Sequence, residues 1–174
     1  MPLRFASRSV EFSMIALETL IGDIARCLIE KQQRIATVES CTGGGIAYYL
    51  TNRAGSSEWF DGGFVTYSNE AKYDMVGVSR PVLEKEGAVS EAVASQMAKG
   101  GLERLGCDYC LSVTGVAGPG GGSKDKPVGM VCFGWASDLG VETQIMYFDG
   151  SRENIRLQTI EHSLRVLRNK LRSD

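Results

Sequence analysis

The chain has 174 residues, of which 43% are hydrophobic and only four are proline, so it is long enough for one globular core and short for two domains. Its 19 lysines and arginines are balanced by 21 acidic residues and are spread along the chain, which argues against nucleic acid as a partner. No apolar stretch approaches the roughly 20 residues of a membrane span, and the N-terminus lacks the apolar core of a signal peptide.

The first half of the chain alternates predicted helices with predicted strands. Residues 1–12 are interpreted as an N-terminal extension, and Ser13 is a possible cap for an amphipathic helix that ends near Gln32. The elements predicted next are a strand over 35–38, a helix over 46–50, a strand over 60–67 and a short helix over 69–75 capped by Ser68 or Asn69.

The second half begins with a helix that Ser90 caps and Gly106 ends. It continues with a strand over 109–116, a glycine-rich loop over 117–123, and strands over 129–136 and 141–148 that form a hairpin. A long final helix follows Ser151. Helices separated by buried strands, with one hairpin, predict an α/β fold: a three-layer α/β/α sandwich with a mixed, mainly parallel sheet, forming a single domain over 13–174.

The turn at 39–45, Glu-Ser-Cys-Thr-Gly-Gly-Gly, lies between a predicted strand and a predicted helix. Its glycines allow close approach of the backbone to a ligand and leave N–H groups free at the helix start, which is the geometry of an oxyanion hole. Ser40 is placed there to attack an amide carbonyl, although a helix-capping serine would leave the same pattern. Cys41 is the rival nucleophile, because consecutive strand-end residues point in different directions and only one faces the pocket.

A serine nucleophile needs a base, and the one histidine, His162, lies inside the final predicted helix. Lys72 is the remaining candidate. It lies in the first turns of a short helix, where the dipole favours the neutral amine, and partial burial would depress its pKa further. Tyr67, just before that helix, could relay or donate a proton. The alternative to a catalytic role is a solvated helix residue for Lys72 and an ordinary strand-end aromatic for Tyr67.

Two further motifs carry weaker signals. The glycine-rich loop over 118–122 does not match the standard phosphate-binding motifs, because Ser123 stands where they require glycine. The loop is interpreted either as a rim rich in backbone N–H groups, suited to a phosphate or ribose, or as a plain long loop. Cys107 and Cys110 form a CxxC without a second pair, so they are interpreted as thiols packed at a strand start. Five cysteines, an odd number at irregular positions, favour reduced thiols and a cytoplasmic location. We expect no metal and no cofactor.

Five segments, read together, resemble the CinA C-terminal domain family. They are Glu39-Ser40-Cys41-Thr42-Gly43-Gly44, the run Gly-Phe-Val-Thr-Tyr-Ser-Asn-Glu-Ala-Lys over 63–72, Gly87-Ala88-Val89-Ser90, Thr114-Gly115-Val116-Ala117-Gly118-Pro119 and Lys126-Pro127-Val128-Gly129. The resemblance runs from about residue 15 to residue 171. It implies an α/β/α fold and a metal-independent serine hydrolase that converts nicotinamide mononucleotide to nicotinic acid mononucleotide and ammonia, in pyridine nucleotide recycling. The family's catalytic serine, tyrosine and lysine match Ser40, Tyr67 and Lys72.

The substrate of such an enzyme is a small molecule, and a further set of residues is expected to hold it. The expected substrate-binding residues are Cys41, Thr42, Gly43, Gly44, Thr114, Gly115, Gly118 and Arg152. Arg152 is the candidate cation for the phosphate, or else a first-turn surface residue. Two alternatives remain open: a non-catalytic nucleotide-binding module, and a DNA-associated competence factor, which the balanced charge disfavours. Apolar faces on the first and last helices predict a homo-oligomer.

Overall fold

The computed structural model describes residues 14–173, which form six α-helices, a 3₁₀ helix (Ser56–Glu58) and five strands. The helices are α1 (Met14–Glu30), α2 (Gly45–Thr51), α3 (Asn69–Val76), α4 (Arg80–Glu86), α5 (Glu91–Leu105) and α6 (Arg152–Ser173). The strands are β1 (Ile35–Glu39), β2 (Phe60–Val65), β3 (Tyr109–Gly115), β4 (Met130–Ser137) and β5 (Gly140–Tyr147). The predicted extension over 1–12 and the predicted cap at Ser13 lie outside the described residues.

The five strands form one sheet in the order β2-β1-β3-β4-β5. Strand β1 pairs in parallel with both β2 and β3, whereas β3 with β4 and β4 with β5 pair antiparallel. The sheet is therefore mixed, as predicted, with two parallel and two antiparallel pairs, and every strand except β4 runs in the same direction. Because β1, β2 and β3 are parallel neighbours, their carboxyl ends meet at one edge of the sheet.

Helices cover both faces of this sheet, which confirms the predicted α/β/α sandwich. On one face, α1, α2 and α6 pack against strand residues that include Ile35, Leu111 and Phe133. On the other face, α3, α4 and α5 pack against Ala36, Val38 and Cys110. Ile35 and Ala36 are neighbours in β1 but pack on opposite faces of the sheet, because successive side chains of a strand point to opposite faces.

The apolar faces of α1 and α6 are used within the chain. Leu20, Ile24 and Leu28 of α1 are buried in the same core cluster as Leu164 and Leu167 of α6. These faces are the reason to expect self-association. Most of their residues cover each other inside the chain, but Ile15 and Ile29 of α1 are 76% and 46% exposed. The homo-oligomer stays a prediction. Within residues 14–173, none of the helices is long and apolar enough to cross a membrane.

The structure differs from the sequence-based prediction most clearly at α4, which was not predicted. This seven-residue helix is capped by Ser79, whose hydroxyl accepts from the N–H of Val82, and only Leu83 is buried. One buried residue leaves no helical periodicity to detect. Strand β2 also ends two residues earlier than predicted, at Val65. Ser68, not Asn69, caps α3 by accepting from the N–H of Ala71 at 3.0 Å.

Candidate active site

The carboxyl ends of β1, β2 and β3 bring three predicted site segments together. The N–H of Ser40, one residue past β1, donates to the carbonyl of Val113 in β3 at 3.0 Å. On the other side of β1, the N–H of Thr66 donates to the carbonyl of Glu39 at 2.8 Å. Pairing thus continues past the strand ends, so the backbone of Ser40 lies between the chain leaving β2 and the chain leaving β3.

Lys72 contacts Ser40 directly. Its Nζ lies 3.0 Å from Ser40 Oγ, 2.8 Å from the carbonyl oxygen of Thr66 and 3.3 Å from that of Tyr67. The helix α3 turns back over the end of β2, and this return carries the lysine to the edge where β1 ends. Lys72 is only 1% exposed, so the solvated alternative for this residue is wrong.

Burial lowers the pKa of Lys72 from its ordinary value of 10.5 to about 8. The ammonium makes its hydrogen bonds to two carbonyls and one hydroxyl, and none of its hydrogen-bond partners in the described part of the chain is a carboxylate. When the amine is neutral, two N–H bonds can remain on the carbonyls of Thr66 and Tyr67, which leaves the nitrogen lone pair facing the Ser40 hydroxyl. This is the arrangement that a general base requires.

Cys41 faces the opposite side of the turn from Ser40. Its side chain is 6% exposed and belongs to the core cluster beneath α1 and α6. Burial raises the pKa of the Cys41 thiol to about 12, so the thiolate that a cysteine nucleophile needs is strongly disfavoured. The geometry therefore favours Ser40 over Cys41 as the nucleophile, and only the backbone of Cys41 is available to a substrate.

The Glu39 side chain holds the turn over 39–45 in place, a role that the sequence analysis missed. Its carboxylate is 1% exposed and accepts from the Thr42 hydroxyl at 2.6 Å, the Ile46 N–H at 2.9 Å and the Ala47 N–H at 2.8 Å. An acidic residue shortly before a helix is a recognisable signal for such a contact, because carboxylates are favoured at helix N-termini. Three donors satisfy a carboxylate that would otherwise be costly to bury.

The expectation of free N–H groups at the start of α2 is wrong, because the donors of Ile46 and Ala47 are bound to Glu39. The Gly43 N–H is also occupied, by the carbonyl of Ser40 at 3.1 Å. Within the described residues, the backbone N–H groups of Cys41, Thr42 and Gly44 have no hydrogen-bond acceptor. These three are the donors that the turn can offer to an oxyanion. Gly43 and Gly44 take the left-handed conformation, at φ 60° and 93°, which favours glycine.

Two arginines on α6 clamp the loops around Ser40. Arg152 donates through Nη1 to the carbonyl of Gly118 at 2.8 Å and through Nη2 to the Tyr67 hydroxyl at 3.0 Å. Arg156, one helical turn later, donates to the carbonyl of Thr42 at 2.9 Å. Arg156 was not predicted, although its four-residue spacing from Arg152 places both on one face of the helix.

The remaining predicted residues lie at the end of β3. Thr114 is 1% exposed, and its hydroxyl donates to the carbonyl of Ala88 at 2.9 Å. Gly115 lies against β4, where an added Cβ would come within 2.7 Å of the Met130 carbonyl oxygen. These contacts give Thr114 and Gly115 packing roles at the strand end. Of these predicted residues, Gly118 is the one whose carbonyl accepts a hydrogen bond from Arg152.

The histidine and the CxxC lie away from this site. His162 packs between α6 and the sheet, with its ring against Phe133 and its Nε2 at 2.8 Å from Gln144 Oε1. Burial raises the pKa of Cys107 to about 11 and that of Cys110 well above its ordinary value. Across residues 14–173, no group of three His, Cys, Asp or Glu side chains is placed to hold a metal ion.

Known proteins match both the sequence and the fold. The profile of the CinA C-terminal domain matches residues 17–171. The nicotinamide-nucleotide amidohydrolase PncC of Enterobacter agglomerans is 51% identical over 151 residues, which cover 86% of this chain and 92% of that protein. The PncC of Escherichia coli K12 is 45% identical, covering 87% and 92%. The CinA-like protein of Syntrophomonas wolfei is also 45% identical, but the chain spans only 38% of its length.

Solved structures show the same architecture. A CinA superfamily protein from Klebsiella pneumoniae matches with a TM-score of 0.87 at 37% identity, covering 91% of this chain and 99% of that one. The competence/damage inducible protein CihA from Agrobacterium tumefaciens matches with a TM-score of 0.86 at 44% identity, covering 90% and 95%. The residues that the family profile matches include Ser40 and Lys72. The chain belongs to the CinA C-terminal domain family.

Proposed function

We propose that this chain hydrolyses the carboxamide of nicotinamide mononucleotide to nicotinic acid mononucleotide and ammonia, with Ser40 as the nucleophile and Lys72 as the base. The contact of 3.0 Å between Lys72 Nζ and Ser40 Oγ carries the proposal. Relatives that are 45% to 51% identical over most of this chain bear the name nicotinamide-nucleotide amidohydrolase. An amide hydrolase needs an activated nucleophile and a proton donor for the leaving amine, and one buried lysine can serve both needs.

In the acylation step, neutral Lys72 takes the proton of the Ser40 hydroxyl while Ser40 Oγ attacks the carboxamide carbon. The carbonyl oxygen becomes an oxyanion, which the free N–H groups in the turn from Cys41 to Gly44 stabilise. The tetrahedral intermediate then collapses with cleavage of the carbon–nitrogen bond. The Lys72 ammonium returns its proton to the leaving nitrogen, so ammonia departs and an ester to Ser40 remains.

In the deacylation step, a water molecule attacks the ester carbonyl and Lys72 takes one of its protons. The second tetrahedral intermediate expels Ser40 Oγ, which receives that proton from Lys72. The product leaves as a carboxylic acid, which gives its proton to solvent and becomes the carboxylate of nicotinic acid mononucleotide, and the enzyme returns to its starting state. Ser40 and Lys72 thus complete one full cycle with the atoms and protons balanced.

The phosphate of the substrate would lie against the loop over 118–122, with Arg152 as its cation. Arg152 already lies at this rim through its bond to Gly118, and a guanidinium binds phosphate oxygens in a bidentate manner. The reaction would belong to pyridine nucleotide recycling. All five cysteines are unpaired, which supports a reducing compartment such as the cytoplasm.

The proposed activity is tested by incubating the purified chain with nicotinamide mononucleotide and measuring ammonia and nicotinic acid mononucleotide over time. We expect both products in equal amounts from the wild type, and a loss of at least about 1,000-fold in Lys72→Met, because the base and the proton donor are both removed. Lys99→Met, on the exposed surface of α5, is the matched control and should keep full activity. Absence of ammonia from the wild type would contradict the proposal.

A further inference from the structure

The backbone and the side chain of Tyr67 make hydrogen bonds in two different parts of the candidate site. Its carbonyl oxygen accepts from Lys72 Nζ at 3.3 Å, inside the candidate site. Its hydroxyl lies at the rim, where Arg152 Nη2 donates to it at 3.0 Å. The same guanidinium donates to the Gly118 carbonyl. The side chain therefore spans from the end of β2 towards the glycine-rich loop, and it is 59% exposed.

Within the described residues, the Tyr67 hydroxyl has Arg152 as its hydrogen-bond partner, and it makes no hydrogen bond to Ser40 or Lys72. A proton relay must lie within hydrogen-bonding reach of the reacting groups, but the side-chain partner of Lys72 Nζ is Ser40 Oγ, and its other two partners are backbone carbonyls. The phenol oxygen is instead held by Arg152. Because Lys72 can return its own proton to the leaving nitrogen, the chemistry does not require a second donor. The exposed aromatic ring then needs another explanation.

We propose that the Tyr67 ring is the platform on which the cationic pyridinium ring of the substrate stacks, so that Tyr67 determines specificity for N-ribosylated, positively charged nicotinamides. This inference rests on the proposed function, since it concerns the same site. An N-alkylated pyridine carries a full positive charge, which is attracted to the face of an aromatic ring. The bond from Arg152 fixes the ring before the ligand arrives, which lowers the entropic cost of binding.

The test compares Tyr67→Leu with Tyr67→Phe in steady-state ammonia release from nicotinamide mononucleotide. Phenylalanine keeps the ring and removes the hydroxyl, whereas leucine removes the ring. We expect Tyr67→Leu to raise KM about 3- to 30-fold above that of Tyr67→Phe, the range of a cation–π contact. The loss of kcat in Tyr67→Phe should stay far below the roughly 100-fold loss of a proton donor. Tyr73→Leu is the matched control, because Tyr73 is also exposed but packs against Arg80.

A second measurement separates ring charge from chemistry. Ser40→Ala, which cannot turn over, is titrated with nicotinamide mononucleotide and with its reduced dihydropyridine form, which has the same carboxamide, ribose and phosphate but no ring charge. We expect Ser40→Ala to prefer the cationic form by about 3- to 30-fold and the double variant Ser40→Ala, Tyr67→Leu to lose that preference. An unchanged preference, or a 100-fold loss of kcat in Tyr67→Phe, would overturn the inference. Failure of the wild type to release ammonia would instead overturn the proposed function.

Discussion

Lys72 Nζ lies 3.0 Å from Ser40 Oγ, although 32 residues separate the two along the chain. The parallel pairing of β1 with β2 brings their carboxyl ends to the same edge, and α3 returns the lysine to that edge. The lysine is buried and bonded to backbone carbonyls. This position predicts that the Lys72 amine sets the pH dependence both of catalysis and of stability.

The activity should rise with pH through the titration of Lys72. Because burial lowers its pKa to about 8, the neutral base is the minor form below pH 8 and the major form above it. We expect log(kcat/KM) for nicotinamide mononucleotide to rise with a slope of one up to about pH 8 and then to level off. The Cys41 thiol, with its pKa raised to about 12, stays protonated over this range. A profile that is flat from pH 6 to pH 9 would contradict the assignment of Lys72 as the base.

The stability should depend on pH through the same group. Between the folded pKa of about 8 and the unfolded value near 10.5, the unfolded state binds more protons than the folded state, so stability rises with pH in this window. Below pH 8 both states carry the ammonium and its burial penalty is fully present. We expect the free energy of unfolding of the wild type to gain about 3 kcal/mol relative to Lys72→Met between pH 8 and pH 10.5.

The free energies of unfolding of the wild type and of Lys72→Met are measured by urea unfolding at pH 7, 9 and 10. Lys99→Met is the control for an exposed lysine. The comparison between variants cancels the titration of the other groups. A constant difference between wild type and Lys72→Met across that range would show that the amine is not held in a desolvated environment.

Glu39 should act as a positioning residue for the nucleophile turn. Glu39→Gln keeps the size of the side chain but replaces one acceptor oxygen with a donor, so one of the contacts to Thr42, Ile46 or Ala47 is lost. We expect kcat to fall about 10- to 100-fold with little change in KM, because small displacements of a nucleophile carry losses of this size. Glu103→Gln, at an exposed position of α5, is the control. A folded Glu39→Gln enzyme with the kcat of the wild type would exclude this role.

Gly100 should be intolerant of any side chain. A Cβ built there would lie 1.8 Å from the carbonyl oxygen of Val76, the last residue of α3. Because that contact is with backbone, relief requires α3 and α5 to separate, and we expect Gly100→Ala to lower the free energy of unfolding by at least about 2 kcal/mol. Gly120→Ala, with open space around the built Cβ, should change it by less than about 0.5 kcal/mol. Equal unfolding midpoints for the two variants would contradict the observed packing.

Much of the fold could be predicted from the sequence, because the elements that carry a strong period are also the ones that build the core. Buried strands and the amphipathic α1 and α6 are examples, and caps such as Ser68 and Ser90 mark helix starts chemically. The short α4 has too few buried positions to show a period. Whether an apolar helix face packs inside the chain or against another copy depends on tertiary neighbours, so the sequence could not show that most of the α1 and α6 faces pack inside the chain.

The candidate site was predicted in part. The proximity of Ser40 and Lys72 follows from parallel strands ending at one edge together with a helix that starts just beyond. The contacts of Glu39 and Arg156 depend on how a buried carboxylate and a long side chain satisfy the backbone of the turn. An acidic residue before a helix and an arginine four residues after Arg152 are signals in the sequence, but they do not say which groups these side chains bind. The sequence also could not show that the N–H groups of Ile46 and Ala47, at the start of α2, are bound to the Glu39 carboxylate.

The most direct test of the account is ammonia release from nicotinamide mononucleotide by Ser40→Ala and Cys41→Ala, measured beside the wild type at pH 8.5. The account predicts that Ser40→Ala loses at least about 1,000-fold in kcat, whereas Cys41→Ala, which alters a core side chain, remains active in its folded fraction. Full activity in Ser40→Ala, together with an inactive but folded Cys41→Ala, would contradict the assignment of the nucleophile and the base.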